Sequence, residues 1–184
     1  MNGVNFFVSV LVSVLVCLLI ADLVRVRTDE LEQRALQLEI GVSSQRDFST
    51  GCGVTSVAIA ASLHGHKAAL SEAKSLVAVD SLGRSSMDDL AEAVKMMNLA
   101  SRGIHISNLH RMPNSSVLIC HVRNTHWVVV TKNSKGALVL LDPPNPSVLI
   151  TPHVFKDVWD GNALLVANST EQLKSHLAEL GVME

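Results

Sequence analysis

Tyrosine is absent from this sequence, and four phenylalanines with two tryptophans are all the aromatic side chains in its 184 residues. Single-stranded nucleic acid is held largely by stacking bases on such rings, and few are on offer here. Positive charge is also not in surplus: 15 lysines and arginines against 17 aspartates and glutamates leave a formal net charge of −2. With no basic excess to neutralise phosphates, a nucleic-acid partner is excluded. Cysteines number three, Cys17, Cys52 and Cys120. They make no disulfide framework and suit a reducing compartment. Internal repeats and low-complexity segments are missing, and 184 residues allow one soluble domain of ordinary size behind the N-terminal segment. His64 and His66 are the one pair that suggests a metal. Two residues apart, they point to different faces of a helix and have no further ligands nearby, so they read as solvent-exposed, and no metal or other cofactor is expected.

One long hydrophobic run is present. Phe6 to Ala21 is continuously apolar and ends at Asp22; as a helix it measures about 24 Å, slightly short of a ~30 Å hydrocarbon core. No Lys or Arg precedes it and no small-x-small cleavage site follows it, so an uncleaved single-pass anchor over residues 1–24 is expected rather than a signal peptide. Arg25 and Arg27 directly after the span put the remainder on the cytoplasmic side by the positive-inside rule. Residues 25–44 follow as a charged juxtamembrane linker helix, with Leu31, Ala35 and Leu38 at helical spacing.

The stretch that organises the rest is Ser49 to Ala61, a polar turn leading into a helix with Cys52 at its mouth. Ser49 or Thr50 supplies a cap, two glycines let the backbone come close to a bound chain, and Val57, Ala60 and Ala61 form a buried stripe. A thiol there lies in the positive end of the helix dipole, which favours thiolate. On residue type alone, a small buried cysteine is the competing reading.

Down the chain, the Cys52 helix is expected to end near Leu63, with Gly65 in the left-handed cap. Ser71 caps a short helix through Val79, and Ser85 and Ser86 open a third carrying Met87, Leu90, Ala91, Val94 and Met97 on one face. From Arg102 the period changes to two. Strands are expected at Gly103–Ile106, Val117–Val122, His126–Thr131 and Ala137–Asp142, with Cys120 in the core and His121 on the opposite face. After Pro143-Pro144-Asn145-Pro146 come a short strand at 147–150, a helix from Thr151-Pro152 carrying Phe155 and Trp159, and a last strand, Ala163–Ala167. A C-terminal helix over 169–184 has Leu173, Leu177 and Leu180 on one stripe.

A hairpin turn centred on Ser134 pairs Thr131 with Ala137 and His126 with Asp142. Directly opposed residues have Cβ atoms about 4.5–5.5 Å apart, close enough for an imidazole to share a hydrogen bond with a carboxylate. A one-residue slip would put the two on opposite faces. Cys52, His126 and Asp142 together are the parts of a thiol hydrolase: a nucleophile, its base and acid, and the group that orients the ring.

Four motifs stand in order between about Gln45 and Val166. They are Cys52-Gly53 before an apolar helix, His126-Trp127-Val128-Val129-Val130, Leu141-Asp142-Pro143, and Phe155-x-x-x-Trp159-x-Gly161-x-x-Leu164. In these the sequence resembles the papain-like cysteine peptidases that cleave double-glycine leader peptides from bacteriocin precursors, usually as the N-terminal domain of peptide-exporting ABC transporters. The resemblance implies an α+β papain-like fold over residues 45–168, a helical subdomain packed on an antiparallel β-sheet with the cleft between. It implies Cys52 as nucleophile, His126 as base and acid, Asp142 as the orienting residue and a leader peptide as substrate. In that family a glutamine, usually six residues before the cysteine, donates to the oxyanion. Here Gln45 stands seven before it and Arg46 six, and Gly51 takes the place of a common aspartate. No phosphate-binding Gly-x-x-x-x-Gly-Lys-Ser/Thr sequence is present, so a transporter serving export is expected to be a separate chain.

Overall fold

A computed structural model describes residues 51–123, 126–132, 137–142, 145 and 147–182. The expected anchor, the linker helix and Gln45 lie outside these residues. Among the described residues, no helix is long and apolar enough to cross a membrane.

Six antiparallel strands form one sheet in the order β1-β6-β2-β3-β4-β5. The strands are β1 Ala100–His105, β2 Val117–Val122, β3 His126–Lys132, β4 Leu138–Leu141, β5 Val148–Ile150 and β6 Trp159–Ala167. Alternation along each strand sends side chains to two separate cores. Val117, Ile119, Trp127, Val129, Leu164 and Val166 face the helices α1 Cys52–Leu63, α2 Ala69–Leu76 and α3 Met87–Met96. Leu118, Cys120, Val128, Val130 and Leu165 face the other way, onto α4 Pro152–Lys156 and α5 Thr170–Leu180.

Helix ends follow local chemistry. Ser86 and Asp89 form a reciprocal capping box on α3, Pro152 opens α4 behind Thr151, and Ser169 accepts from the Gln172 N–H at the start of α5. Gly65 turns left-handed after α1, with φ +96°. Several expectations need correction. Helix α2 begins at Ala69, because the Ser71 hydroxyl donates back to the Ala68 carbonyl inside the helix instead of capping it. Strand β1 starts earlier, at Ala100, paired with Ala167. Trp159 leaves the helix and starts β6, where it lies opposite Val122 while its ring stays 5.5 Å from that of Phe155. His64 and His66 are both half-buried rather than exposed, and the Nε2 of His64 finds no hydrogen-bond partner among the described residues. Sequence periodicity also missed His176, which is buried on α5 with both ring nitrogens unpartnered.

The mouth of α1 is built by close approach. Gly51, in place of Ser49 or Thr50, takes the cap position and brings no side-chain acceptor; those two residues lie outside the described ones. A Cβ on Gly51 would lie 2.7 Å from the Gly83 carbonyl oxygen, and one on Gly53 would lie 2.9 Å from Ser85 Oγ. The glycines therefore admit the chain's own 80–86 loop. That loop is fastened by Asp80, whose carboxylate accepts from the backbone N–H groups of Leu82 and Arg84 at 2.8 and 2.9 Å and from Arg84 Nε at 2.9 Å. The Gly51 φ of −61° is open to any residue, so the cost of Gly51→Ala is steric. The variant is expected to lose about 1–3 kcal/mol, read as a lower urea midpoint at unchanged slope.

Candidate active site

Cys52 is the first residue of α1, half-buried, with the helix N-terminus behind it. His126 opens β3 and Asp142 follows the last residue of β4. The β3–β4 ladder pairs Thr131 with Val139 and Val129 with Leu141, two residues along from the expected pairing. Lys132 joins the strand, its ammonium anchored on the carbonyls of His110 and Met112 at 3.2 and 2.9 Å. Because the side-chain period is two, this shift keeps Asp142 on the face of His126 and makes the two diagonal neighbours instead of a direct pair.

The diagonal is short enough: His126 Nε2 and Asp142 Oδ1 are 2.6 Å apart. The other oxygen of that carboxylate accepts from Asn145 Nδ2 at 3.1 Å, and the Asn145 N–H donates to the Asp142 carbonyl at 2.9 Å. Sequence reasoning read Pro143 to Pro146 as a strand breaker and missed Asn145, although asparagine in a proline-rich turn is itself a signal for such local bonds. With Nε2 held by Asp142, Nδ1 is the ring nitrogen left for the Cys52 thiol, and thiol and ring each shift the other's proton affinity. The structure thus brings together Cys52, His126 and Asp142, while Gln45 lies outside the described residues.

The electrostatics follow from this arrangement. Burial pushes the Cys52 thiol up, but the hydrogen bond and charge of His126, with the backbone N–H groups of Trp127 and Gly53, outweigh it and bring the thiol below its ordinary value. His126 is pushed up to about 10, first by the bond to Asp142 and then by the bond to Cys52, against the opposing effect of burial. Each member favours the other's ion, the condition for a thiolate–imidazolium pair. Cys120 is the contrast. Fully buried on the far face, its thiol is pushed above the range of ordinary thiols by desolvation.

Cys52 lies in a cleft of about 570 Å³ bounded by residues 78–80, 83–86, His121 and Trp127. The Trp127 indole N–H donates to the Ser85 carbonyl at 3.1 Å, tying the sheet to the loop across the cleft. No group of three or more histidine, cysteine or acidic residues suited to a metal occurs among the described residues.

Residues 42–171 match the Peptidase C39 family. Among solved structures, the chain is similar to a double glycine motif protease from an AMS/PCAT transporter, crystallised with the leader peptide. That match has 19% identity and a TM-score of 0.56, over 65% of this chain and 85% of the other. It is also similar to the peptidase domain of Streptococcus ComA, a bi-functional ABC transporter involved in quorum sensing. Here the values are 19% identity and TM-score 0.55, over 64% of this chain and 91% of the other. At such identities the likeness is one of fold, the α+β papain-like arrangement of helices on an antiparallel sheet. No curated protein matches the sequence.

Iodoacetamide should alkylate Cys52 in the full chain with a midpoint below pH 9.0, the ordinary thiol value. In His126→Ala, which removes the largest of the influences that lower it, that midpoint should move up. Asp142→Asn removes the strongest support of the imidazolium, so the alkaline limit set by His126 should fall below about 10.

Proposed function

The chain belongs to the Peptidase C39 family, and from that premise we propose that it is a membrane-anchored cysteine peptidase that cleaves after a double-glycine-type leader through Cys52, His126 and Asp142. The observation that carries the reading is the 2.6 Å bond from His126 to Asp142, beside a Cys52 thiol whose proton affinity that ring lowers. The leader-peptide substrate is carried over from the likeness in fold to the double glycine motif protease crystallised with the leader peptide, and the anchor from the Phe6–Ala21 run. Arg25 and Arg27 favour a cytoplasmic domain, and a separate ABC transporter is the partner this reading expects.

In the mechanism, Cys52 Sγ attacks the carbonyl carbon before the scissile bond, and the carbonyl oxygen becomes an oxyanion. The backbone N–H of Cys52, at the positive end of α1, is one donor to it, and the amide of Gln45 is the second. His126 gives its proton to the leaving amine, a transfer of a kind that contributes about 10²–10⁴ in rate. A thioester remains on Cys52. His126, now neutral, takes a proton from water, the hydroxide attacks the thioester, and the sulfur leaves as thiolate beside the reprotonated ring. Asp142 keeps its bond to the ring and holds the tautomer that presents Nδ1 to the sulfur.

The purified full chain should cut a peptide carrying a Gly-Gly pair at the bond after it, and Cys52→Ala should give no product. Removing one oxyanion donor costs about 10²–10³ in turnover, so Gln45→Ala should retain slow cleavage. The spacing of Gln45, seven residues before Cys52, favours a second reading in which the domain binds leaders without cutting them. Saturable binding of the same peptide by wild type with no product, measured by calorimetry and mass spectrometry, would establish that reading instead.

A further inference from the structure

The carboxylate that orients His126 belongs to a stretch short of hydrogen-bond donors. Pro143, Pro144 and Pro146 follow Asp142 in the sequence, and proline has no backbone N–H. An aspartate at the head of a turn commonly bonds its side chain to the N–H two residues on, and here that residue is Pro144. Of residues 143–146 only Asn145 carries an N–H, and it is spent on the Asp142 carbonyl at 2.9 Å. The side chain of Asn145 makes good the lack. Its Nδ2 donates to Asp142 Oδ2 at 3.1 Å, while Oδ1 meets His126 Nε2 at 2.6 Å.

One bond on each oxygen fixes the carboxylate. Held by the ring alone, the group could swing about its Cα–Cβ and Cβ–Cγ bonds, and at 24% side-chain exposure water competes for it. A second donor on the other oxygen removes that freedom. Asp142 in turn holds the ring that faces Cys52, so a misplaced carboxylate becomes a misplaced base, and misplacements of about 1 Å cost up to ~10²-fold in rate. Asn145 is exposed and belongs to neither core. Among the described residues, both of its hydrogen bonds go to Asp142.

We propose that Asn145 is a positioning residue of the peptidase, acting on the reaction through Asp142 by holding that carboxylate in the orientation that keeps His126 aimed at Cys52. The proposal rests on the peptidase reading and adds a fourth described member to its machinery. A carboxamide suits the task because it offers an N–H to a group that accepts and brings no charge of its own.

The test uses the full chain and a Gly-Gly peptide. Asn145→Ala should lower kcat about three- to tenfold, the worth of one hydrogen bond, and leave KM unchanged. Asn145→Asp has the same shape with a like charge in place of the N–H and should fall at least as far, whereas Asn145→Gln should recover part of the loss. A double-mutant cycle separates positioning from a role in the fold: once Asp142 is replaced by alanine, Asn145→Ala should cost nothing further. The pH midpoint of Cys52 alkylation by iodoacetamide makes the same comparison without turnover. Asn145→Ala should move that midpoint up, in the direction of Asp142→Ala and by less, and should leave it unmoved in the Asp142→Ala chain. An unchanged kcat, an equal loss in both backgrounds, or a midpoint that moves down, as it would if the amide did no more than draw charge from the carboxylate, overturns the proposal. Should wild type cut no peptide at all, the peptidase reading fails, and the alkylation midpoints alone decide whether Asn145 positions Asp142.

Discussion

The hydrogen bond between His126 and Asp142 is the constraint on which the rest of the molecule depends. It joins two residues sixteen positions apart at 2.6 Å, and it is possible only because β3 and β4 pair in one register and Leu141 ends its strand at that level. With the carboxylate committed to Nε2, the ring can rotate little, and its remaining nitrogen meets the mouth of α1. The two cores on either face of the sheet serve this geometry. One holds α1 against β2 and β3, so that sulfur and imidazole come from elements packed directly on each other. The other anchors the back of the same strands.

Much of this was legible in the residues. The apolar stripe of α1, the Ser86 capping box, the alternation of Val117 to Val122 and the Thr151-Pro152 helix start each follow from local chemistry and appear where that chemistry puts them. The face shared by His126 and Asp142 was also legible, since it depends only on the parity of the register. The register itself was not. A turn centre read from composition ignores Lys132, whose ammonium reaches the 110–112 carbonyls and draws one more residue into β3. That contact exists only in the folded chain.

The glycines flanking Cys52 show the same limit. As sequence they signal close approach, and they do meet something closely, but the occupant is the 80–86 loop and not a bound peptide. The bulge in β6 at Gly161, where its pairing with β2 shifts, was equally out of reach, because a left-handed glycine within a strand cannot be told from an ordinary one without its neighbours. Asn145 passed unnoticed for the opposite reason. Its prolines dominated the local reading, though its own amide secures the orienting carboxylate.

The half-buried imidazole of His64 and the buried one of His176 carry a consequence of a different kind. Burial makes both harder to protonate. At His64 the Val166 backbone and the Asn168 side chain oppose that effect and the charges of His176 and His66 add to it, while Glu179 opposes it at His176 only in part. A base whose affinity for protons is weakened by folding takes them up preferentially in the unfolded chain, so native stability is intact above the free histidine value of about 6.5 and drains away as the solution becomes more acidic than that. The joint between the end of α1 and α5 is therefore where mild acid would loosen this domain, a weakness arising from packing at the opposite end of the helix that carries the nucleophile.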